Sequence, residues 1–600
     1  MRRSVGALLW RALLAVLLVC FVGVLPWLAR TDPALTVLKA RAMEREATPE
    51  VLDAVRRQIG LDSGPSALLG EWLAGLPRGD AGRSWLSGEP VLPGVGHALG
   101  VSLLLTGTAL AVALATAALV CARTLRDGAR RRLDGRRRAG GTTTAVLAAL
   151  PEFLTASVLA TVVGVQLGWL PALGWYGPRW TVLPALALGL PAGAVLGRLL
   201  DDLLPGAFAE PWATAAAARG LGGWRIARMA LRRCVPALLP NAGLFVVGLT
   251  GGAVAVERVF DIPGLGRTTL QAALAQDLPV LQTGTLALLL LGAAATALAH
   301  LAARLLTGPA LRDGVVPTLH RRPPVARRRP PVVYGVLLLV VVGLGLPRDP
   351  LALDTAARLQ APSLSAPFGT DALGRDVLAR VAHGAFDTLT LAVAVSVVAL
   401  GTGVLLGLLP RVSGPLVDTV NAVPPVLGAL LVTAVAGRGA ATPALAVAVV
   451  AWAPLAAHTS ALLRQERAAP HLTAARAFGA GPLYLLRREL LPAVLPPVLR
   501  HALLRLPGVA LALASLTFLG LGAQPPSPEW GLLLAENQPY AERAPWAVLA
   551  PAAVLALLGA LAVSAAGGRW TVRRASHAVR PALTPPPAPA PAPVRARPTP

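Results

Sequence analysis

The chain has 600 residues, 55% of them hydrophobic and 14% charged, with a mean hydropathy of +0.62. Soluble globular domains carry roughly a quarter charged residues, so this composition excludes an ordinary soluble fold and points to a membrane protein. The net charge of +25 does not make nucleic acid a partner, because the arginines sit in loops between apolar stretches.

Stretches long enough to cross a bilayer, roughly 20 residues, recur along the whole chain. The first runs over about 6–28; it contains Arg11 and shows no small-residue cleavage site, so it reads as a retained helix rather than a signal peptide. Segment 29–95 follows, with eight basic against nine acidic residues. Further spans are expected at about 96–121, 143–167, 181–204, 237–256 and 281–306, then at 332–347, 387–409, 415–436, 441–463, 495–520 and 546–566. Prolines inside several of them are tolerated, since neighbouring helices re-satisfy the freed carbonyls.

Basic residues accumulate in cytoplasmic loops. Loop 122–142 carries eight arginines against Asp127 and Asp134, loop 307–331 carries six against Asp313, and Arg569, Arg573, Arg574 and Arg580 follow the last span. The near-neutral segment 29–95 suits the outer face. Twelve spans with both termini cytoplasmic satisfy these biases. The expected fold is therefore an all-α polytopic membrane protein of two parallel six-helix halves, residues 1–310 and 332–570. An Arg/Pro-rich linker (311–331) joins them, and a disordered Pro/Ala-rich tail (571–600) follows. Cys20, Cys121 and Cys234 are too scattered for a disulfide framework or metal cluster and read as small apolar packing.

One pattern is duplicated. T-A-A-x-x-x-G occurs as Thr214-Ala215-Ala216 with Gly220 and as Thr473-Ala474-Ala475 with Gly479, in basic loops (about 205–236 and 464–493) between the fourth and fifth spans of each half. Small residues before a glycine suit a short helix, a sharp turn and a second helix. Leu491-Pro492 follows the second copy; Arg232 and Arg233 occupy those slots after the first. An exposed helix of this kind suits a groove in a partner protein, or an ordinary interfacial helix.

Here the chain resembles the permeases of binding-protein-dependent ABC importers of the dipeptide, oligopeptide and nickel type. Their loop reads E-A-A-x-x-x-G followed by L-P; both copies here have Thr in the Glu slot. The stretch Gly251–Arg267, with Glu257, Asp261, Pro263, Gly264 and Gly266, resembles the outer loop of the first permease of such pairs. Asp371, Gly374, Arg375 and Asp376, within Phe368–Val377, resemble the second permease, as do Ala514–Gly522 and Glu529-Trp530-Gly531. The resemblance implies both permeases fused in one bacterial inner-membrane chain. It further implies two ABC ATPase subunits, the same or different, docked on the duplicated loops, and an extracytoplasmic solute-binding protein delivering cargo. Peptides are the favoured cargo, with nickel or another small solute as the alternative. The outer Gly, Pro and Asp clusters read either as a gate or docking surface or as caps closing helix ends.

Several chemistries are missing from the sequence. A P-loop needs a lysine beside glycines, and the single lysine, Lys39, has none next to it. The chain is thus read as a transport component rather than an enzyme. No cofactor is expected on it, with ATP and magnesium used by the partner subunits. No zinc-protease or Cys-pair metal pattern occurs, and His458, His471 and His501 are not spaced as a ligand set. An ion-coupled transporter would need buried carboxylates along the spans, and a sensor would need a signalling domain. Arg505 is the main charge inside a span, lining an aqueous route or snorkelling.

Overall fold

The computed structural model describes residues 32–42, 44–132, 142–148, 150–307, 329–409 and 439–566, with scattered positions between 17 and 28 and between 414 and 435. Three short helices open it: α1 (Pro33–Arg41), α2 (Pro49–Gln58) and α3 (Pro65–Gly75). Next come α4 (Val91–Ala129), α5 (Thr142–Leu147) and α6 (Glu152–Leu159), which continues as a π-helical turn over Ala160–Gln166. Helix α7 (Pro178–Phe208) leads through α8 (Pro211–Ala218) into α9 (Gly223–Val259), followed by α10 (Leu265–Ala275) and α11 (Leu278–Thr307). The second half contains α12 (Arg329–Gly345), α13 (Val377–Gly407), α14 (Thr442–Arg467) and α15 (Pro470–Ala477), then α16 (Leu491–Phe518), α17 (Trp530–Asn537) and α18 (Pro545–Ala566). Among the described residues there is no strand, only two isolated bridges.

Proline stands in the first turn of α1, α2, α3, α7, α8, α14 and α15. Its fixed φ and missing N–H fit that turn, where the donor would be unpaired anyway. Among the described residues seven helices are long and apolar enough to cross a membrane: α4, α7, Leu278–Ala295 of α11, α13, α14, the continuous helix Pro482–Phe518 and Pro545–Ser564 of α18. Together with the shorter apolar helices Glu152–Gln166 and Pro331–Gly345, they make this an all-α polytopic membrane protein. Ten of the expected spans fall on helices, although 143–167 is broken between α5 and α6. Helices outlast the hydropathy that announces them, as with 96–121 inside Val91–Ala129. The expected span 415–436, span 6–28, most of the linker and the tail lie wholly or largely outside the described residues.

The two halves repeat at a constant offset. Helix α8 and α15 begin at Pro211 and Pro470, and the helices after them run over Gly223–Val259 and Pro482–Phe518. These boundaries, like the two T-A-A-x-x-x-G copies, are all 259 residues apart. Within each half small residues bring two long helices close. In the first half Gly189, Gly193 and Gly197 of α7 lie on α4, where a Cβ at Gly193 would sit 2.4 Å from the Ala113 carbonyl oxygen. In the second half the small residues are on the other helix of the pair, with Gly403 and Gly407 of α13 against Leu455 and Thr459 of α14. Such stripes substitute dispersion contact for a hydrophobic drive that lipid cannot provide.

The largest buried apolar cluster crosses both halves, from Leu105, Phe153 and Phe260 to Phe518, Trp530 and Leu555. Phe153 and Phe518 touch with ring centroids 5.5 Å apart. Gln166 Nε2 donates to the carbonyls of Ala541 (2.8 Å) and Glu542 (3.1 Å), and the Arg258 guanidinium donates to the Leu519 carbonyl. The last contact brings the C-terminal ends of α9 and α16 together. Helices α8 and α15 precede the other ends of α9 and of the continuous helix Pro482–Phe518, each 37 residues long, about 55 Å away at 1.5 Å per residue.

Candidate coupling loops and mouth

The duplicated motif is a helix that closes in a Schellman turn. After α8, the Gly220 N–H donates to the Ala217 carbonyl and the Leu221 N–H to that of Ala216, both at 3.1 Å. After α15, Gly479 donates to Arg476 and Ala480 to Ala475, both at 3.0 Å. Gly220 (φ 78°) and Gly479 (φ 84°) are left-handed, the conformation this cap demands at the residue after the helix. The spacing of the motif follows directly. The second alanine supplies the carbonyl accepting the long bond, and the glycine must come four residues later. The accompanying apolar contact is present too, with Ala216 and Leu221 in one small cluster and Ala475 and Ala480 in another.

Each short helix has an inner and an outer face. Ala213 and Ala216 pack on Ile226, and Leu472 packs with Leu463, Leu485 and Leu490. Thr214, Ala215, Thr473 and Ala474 are exposed, as is Gly479. Phe478 is 91% exposed on the second turn, uncovered among the described residues. Leu491 is half-buried and Pro492 exposed, at the start of α16.

The first copy departs from the second where Arg233 replaces Pro492 in register. The Arg233 guanidinium pairs with Glu210, with Nε and Nη2 each 3.3 Å from a carboxylate oxygen, and Glu210 also accepts from Trp212 Nε1 at 2.7 Å. Ala469 takes the place of Glu210 in the second copy, so both members of the pair change together. The ion pair clamps the start of α8 onto α9. Beneath it Cys121 and Cys234 sit in an apolar cluster with Leu125, Leu204 and Ala230, so both thiols serve as small packing groups.

At the opposite end each half buries a carboxylate beside a short helix. Glu257, in the last turn of α9, accepts from Ser102 Oγ (2.6 Å) and from the Arg267 N–H in the first turn of α10 (2.8 Å). Glu529 caps α17, accepting from the N–H groups of Gly531 (2.9 Å) and Leu532 (3.1 Å), with Thr388 Oγ1 3.4 Å away. Ser102 and Thr388 are each the twelfth residue of the corresponding helices α4 and α13. The arrangement is conserved between halves although the carboxylate comes from different places in the chain. Gly264 is required there, since a Cβ would lie 2.1 Å from the Glu257 carboxylate. Gly266, the second residue of α10, is buried against Val254. Asp261 is exposed, left-handed and paired with Arg267, and Pro263 is exposed beside it.

The second half adds a buried ionic cluster. Asp371 Oδ2 accepts from Arg375 Nε (2.7 Å) and Arg380 Nη1 (2.9 Å), and Glu536 Oε2 accepts from both arginines at 3.2 and 2.9 Å. Arg380 is fully buried and its Nη2 also donates to the Ser527 carbonyl at 3.1 Å. Gly374 makes the turn between Asp371 and Arg375. Asp376 caps α13, accepting from the Leu378 N–H at 2.8 Å, and pairs with Arg348 at 2.7 Å. Trp530 is buried and donates to the Val381 carbonyl at 2.8 Å. Of the two readings left open for these residues, capping and bracing describes Asp371, Asp376, Glu257, Glu529 and Trp530, while Asp261 and Pro263 remain on the surface. Arg380 and Glu536 are the members that sequence reasoning missed. So is Glu210.

Residues 115–308 and again 393–567 match the family described as binding-protein-dependent transport system inner membrane component. The chain belongs to this family. It is a multi-pass inner-membrane permease chain carrying the family's segment twice, two permease units in one polypeptide. It is 39% identical over 181 residues to the di/tripeptide transport system permease protein DppC of Pseudomonas aeruginosa, covering 29% of this chain and 60% of that protein. It is 30% identical over 284 residues to the glutathione transport system permease protein GsiC of Escherichia coli, covering 47% and 88%. A putative peptide transport system permease of Brucella abortus is 31% identical over 250 residues, covering 39% and 77%.

Burial makes one of the permease's mouth carboxylates pH-sensitive. It pushes the Glu529 carboxyl from an ordinary 4.5 up to about 7, against the opposing pull of its backbone hydrogen bonds. Between about pH 4.5 and 7 the folded chain therefore holds more protons than the unfolded one, and stability falls as pH rises through that window, then levels off. Thermal unfolding in detergent across pH 4–8 should show a steeper decline in the wild type than in Glu529→Gln. Equal slopes in the two proteins would disprove the assignment.

Proposed function

We propose that this chain is the membrane-spanning part of an ATP-driven peptide importer. Both duplicated loops face the cytoplasm, as the arginine-rich loops around them require, and both termini share that side. Two ABC ATPase subunits, the same or different, dock on α8 and α15. A solute-binding protein delivers cargo to the end formed by α10, α17 and the segment before α4. Peptide cargo is supported by the peptide and glutathione permeases among the relatives.

The observation carrying this reading is the pair of Schellman-closed helices in one register, each with an exposed outer face. When the ATPases close around ATP, α8 and α15 are drawn together. The Glu210–Arg233 pair and the Leu472 cluster pass that displacement to α9 and to the helix beginning at Pro482, opening the route outward; hydrolysis reverses it. Such coupling requires the ATP-bound partners to favour one permease conformation over the other. The mouth clusters stay rigid while the opposite ends move.

Tagged chain extracted from native membranes should bring ABC ATPase subunits with it, and cells lacking the chain should lose ATP-dependent uptake of labelled di- and tripeptides. Uptake by the purified chain alone, without ATP, would overturn the importer reading.

A further inference from the structure

Arg505 is a charge inside a span that finds no carboxylate partner among the described residues. It lies on the helix Pro482–Phe518, 13 residues short of its far end, or about 20 Å at 1.5 Å per residue. His501 is one turn below, and its ring stacks on that of His458 from α14 with centroids 4.6 Å apart. His458 stands nine residues before the end of α14, about 14 Å from the level of α15. Arg505 thus sits near the middle of the bilayer. Among the described residues it makes no ion pair with a carboxylate, and its side chain is exposed.

Its direction separates water from lipid. Leu495, Leu499 and Leu503 form an exposed apolar stripe along the same helix, the kind of face that meets lipid. Arg505 follows Leu503 by two residues, roughly 200° around the axis, and His501 by four, roughly 40°, so it lies on the face of the helix that carries His501 and its partner His458 rather than on that of Leu503. An unpaired guanidinium at this depth is costly in hydrocarbon and stable where water reaches it.

We infer that Arg505, flanked by His501 and His458, forms a station within the translocation route that binds the terminal carboxylate of a peptide cargo. The guanidinium offers a forked pair of donors matched to a carboxylate, and the imidazoles supply further polar contacts beside it. Val246 occupies the register of Arg505 in the first half, so one wall of the route carries this charge. The inference rests on the peptide-importer reading.

Two measurements test it. With Cys20, Cys121 and Cys234 replaced by alanine, Arg505→Cys should react with a membrane-impermeant anionic thiosulfonate. Labelling by a lipid-soluble maleimide alone would place the residue against lipid and overturn the inference. In cells, Arg505→Ala should lower uptake of labelled alanyl-alanine roughly tenfold or more, the scale of a lost charge-assisted contact. Uptake of alanyl-alanine amide should change little, and Arg505→Lys should restore part of the loss. Equal losses for acid and amide, in a wild type that transports both, would overturn the station alone. A wild type that transports neither would remove the peptide reading, and the carboxylate station with it.

Discussion

Replacing Gly479 by valine should abolish most uptake while leaving the chain inserted in the membrane. The glycine holds φ at 84° and a Cβ there would meet nothing within 4 Å, so the penalty is conformational rather than steric. A left-handed backbone costs an ordinary residue roughly 1–2 kcal/mol, more when β-branched. Relaxing to φ below zero sacrifices the bonds that satisfy the Ala475 and Arg476 carbonyls and loosens the packing of Leu472 on Leu485 and Leu490, which follow the turn. If docking requires the closed turn, a penalty of that size lowers the competent population by about five- to thirtyfold. Asparagine tolerates the left-handed region, so Gly479→Asn should keep most activity where Gly479→Val loses it. The decisive comparison is ATPase co-purification and peptide uptake for the two variants at matched membrane levels. Equal behaviour of valine and asparagine would show that the turn does not set docking.

The repeat on which that prediction stands was visible in the chain as two T-A-A-x-x-x-G strings, because a Schellman turn places its demands on residues only a few positions apart. The spans were legible for a similar reason: an apolar stretch of bilayer length announces itself locally. Their ends were not, since α4 continues as helix past the apolar window and its last turn is held by packing against Phe208 of α7. Long-range pairs were invisible altogether. Arg232-Arg233 in the Leu-Pro slots looked like a loss of pattern, whereas Arg233 answers Glu210, 23 residues earlier. Nothing near Arg380 marks it as buried, because one of its carboxylate partners is Glu536, 156 residues away. The helices α10 and α17 escaped because both are short and their N-terminal carboxylates come from different registers, Glu257 before the turn and Glu529 after it.

That buried cluster carries the largest expected effect on stability. Asp371 and Glu536 balance Arg375 and Arg380 in charge, and Asp371 and Arg380 are 1% and 0% exposed. Asp371→Asn leaves two guanidiniums facing one carboxylate in a place where water cannot compensate. Breaking a buried pair from one side costs about 3–5 kcal/mol, far more than the pair contributes relative to apolar groups. The variant should therefore unfold at a clearly lower Tm in detergent and yield less folded protein. Asp376→Asn, which weakens a helix cap and a partly exposed pair with Arg348, should cost only about 1 kcal/mol. The mechanism is separable from simple loss of contacts by adding Arg380→Met to Asp371→Asn. That double variant keeps the Arg375–Glu536 pair and restores the charge balance, so its loss should be smaller than the sum of the two single losses. Additive losses would mean that the cluster stabilises the mouth by packing alone, and that the uncompensated charge is not what makes Asp371 indispensable.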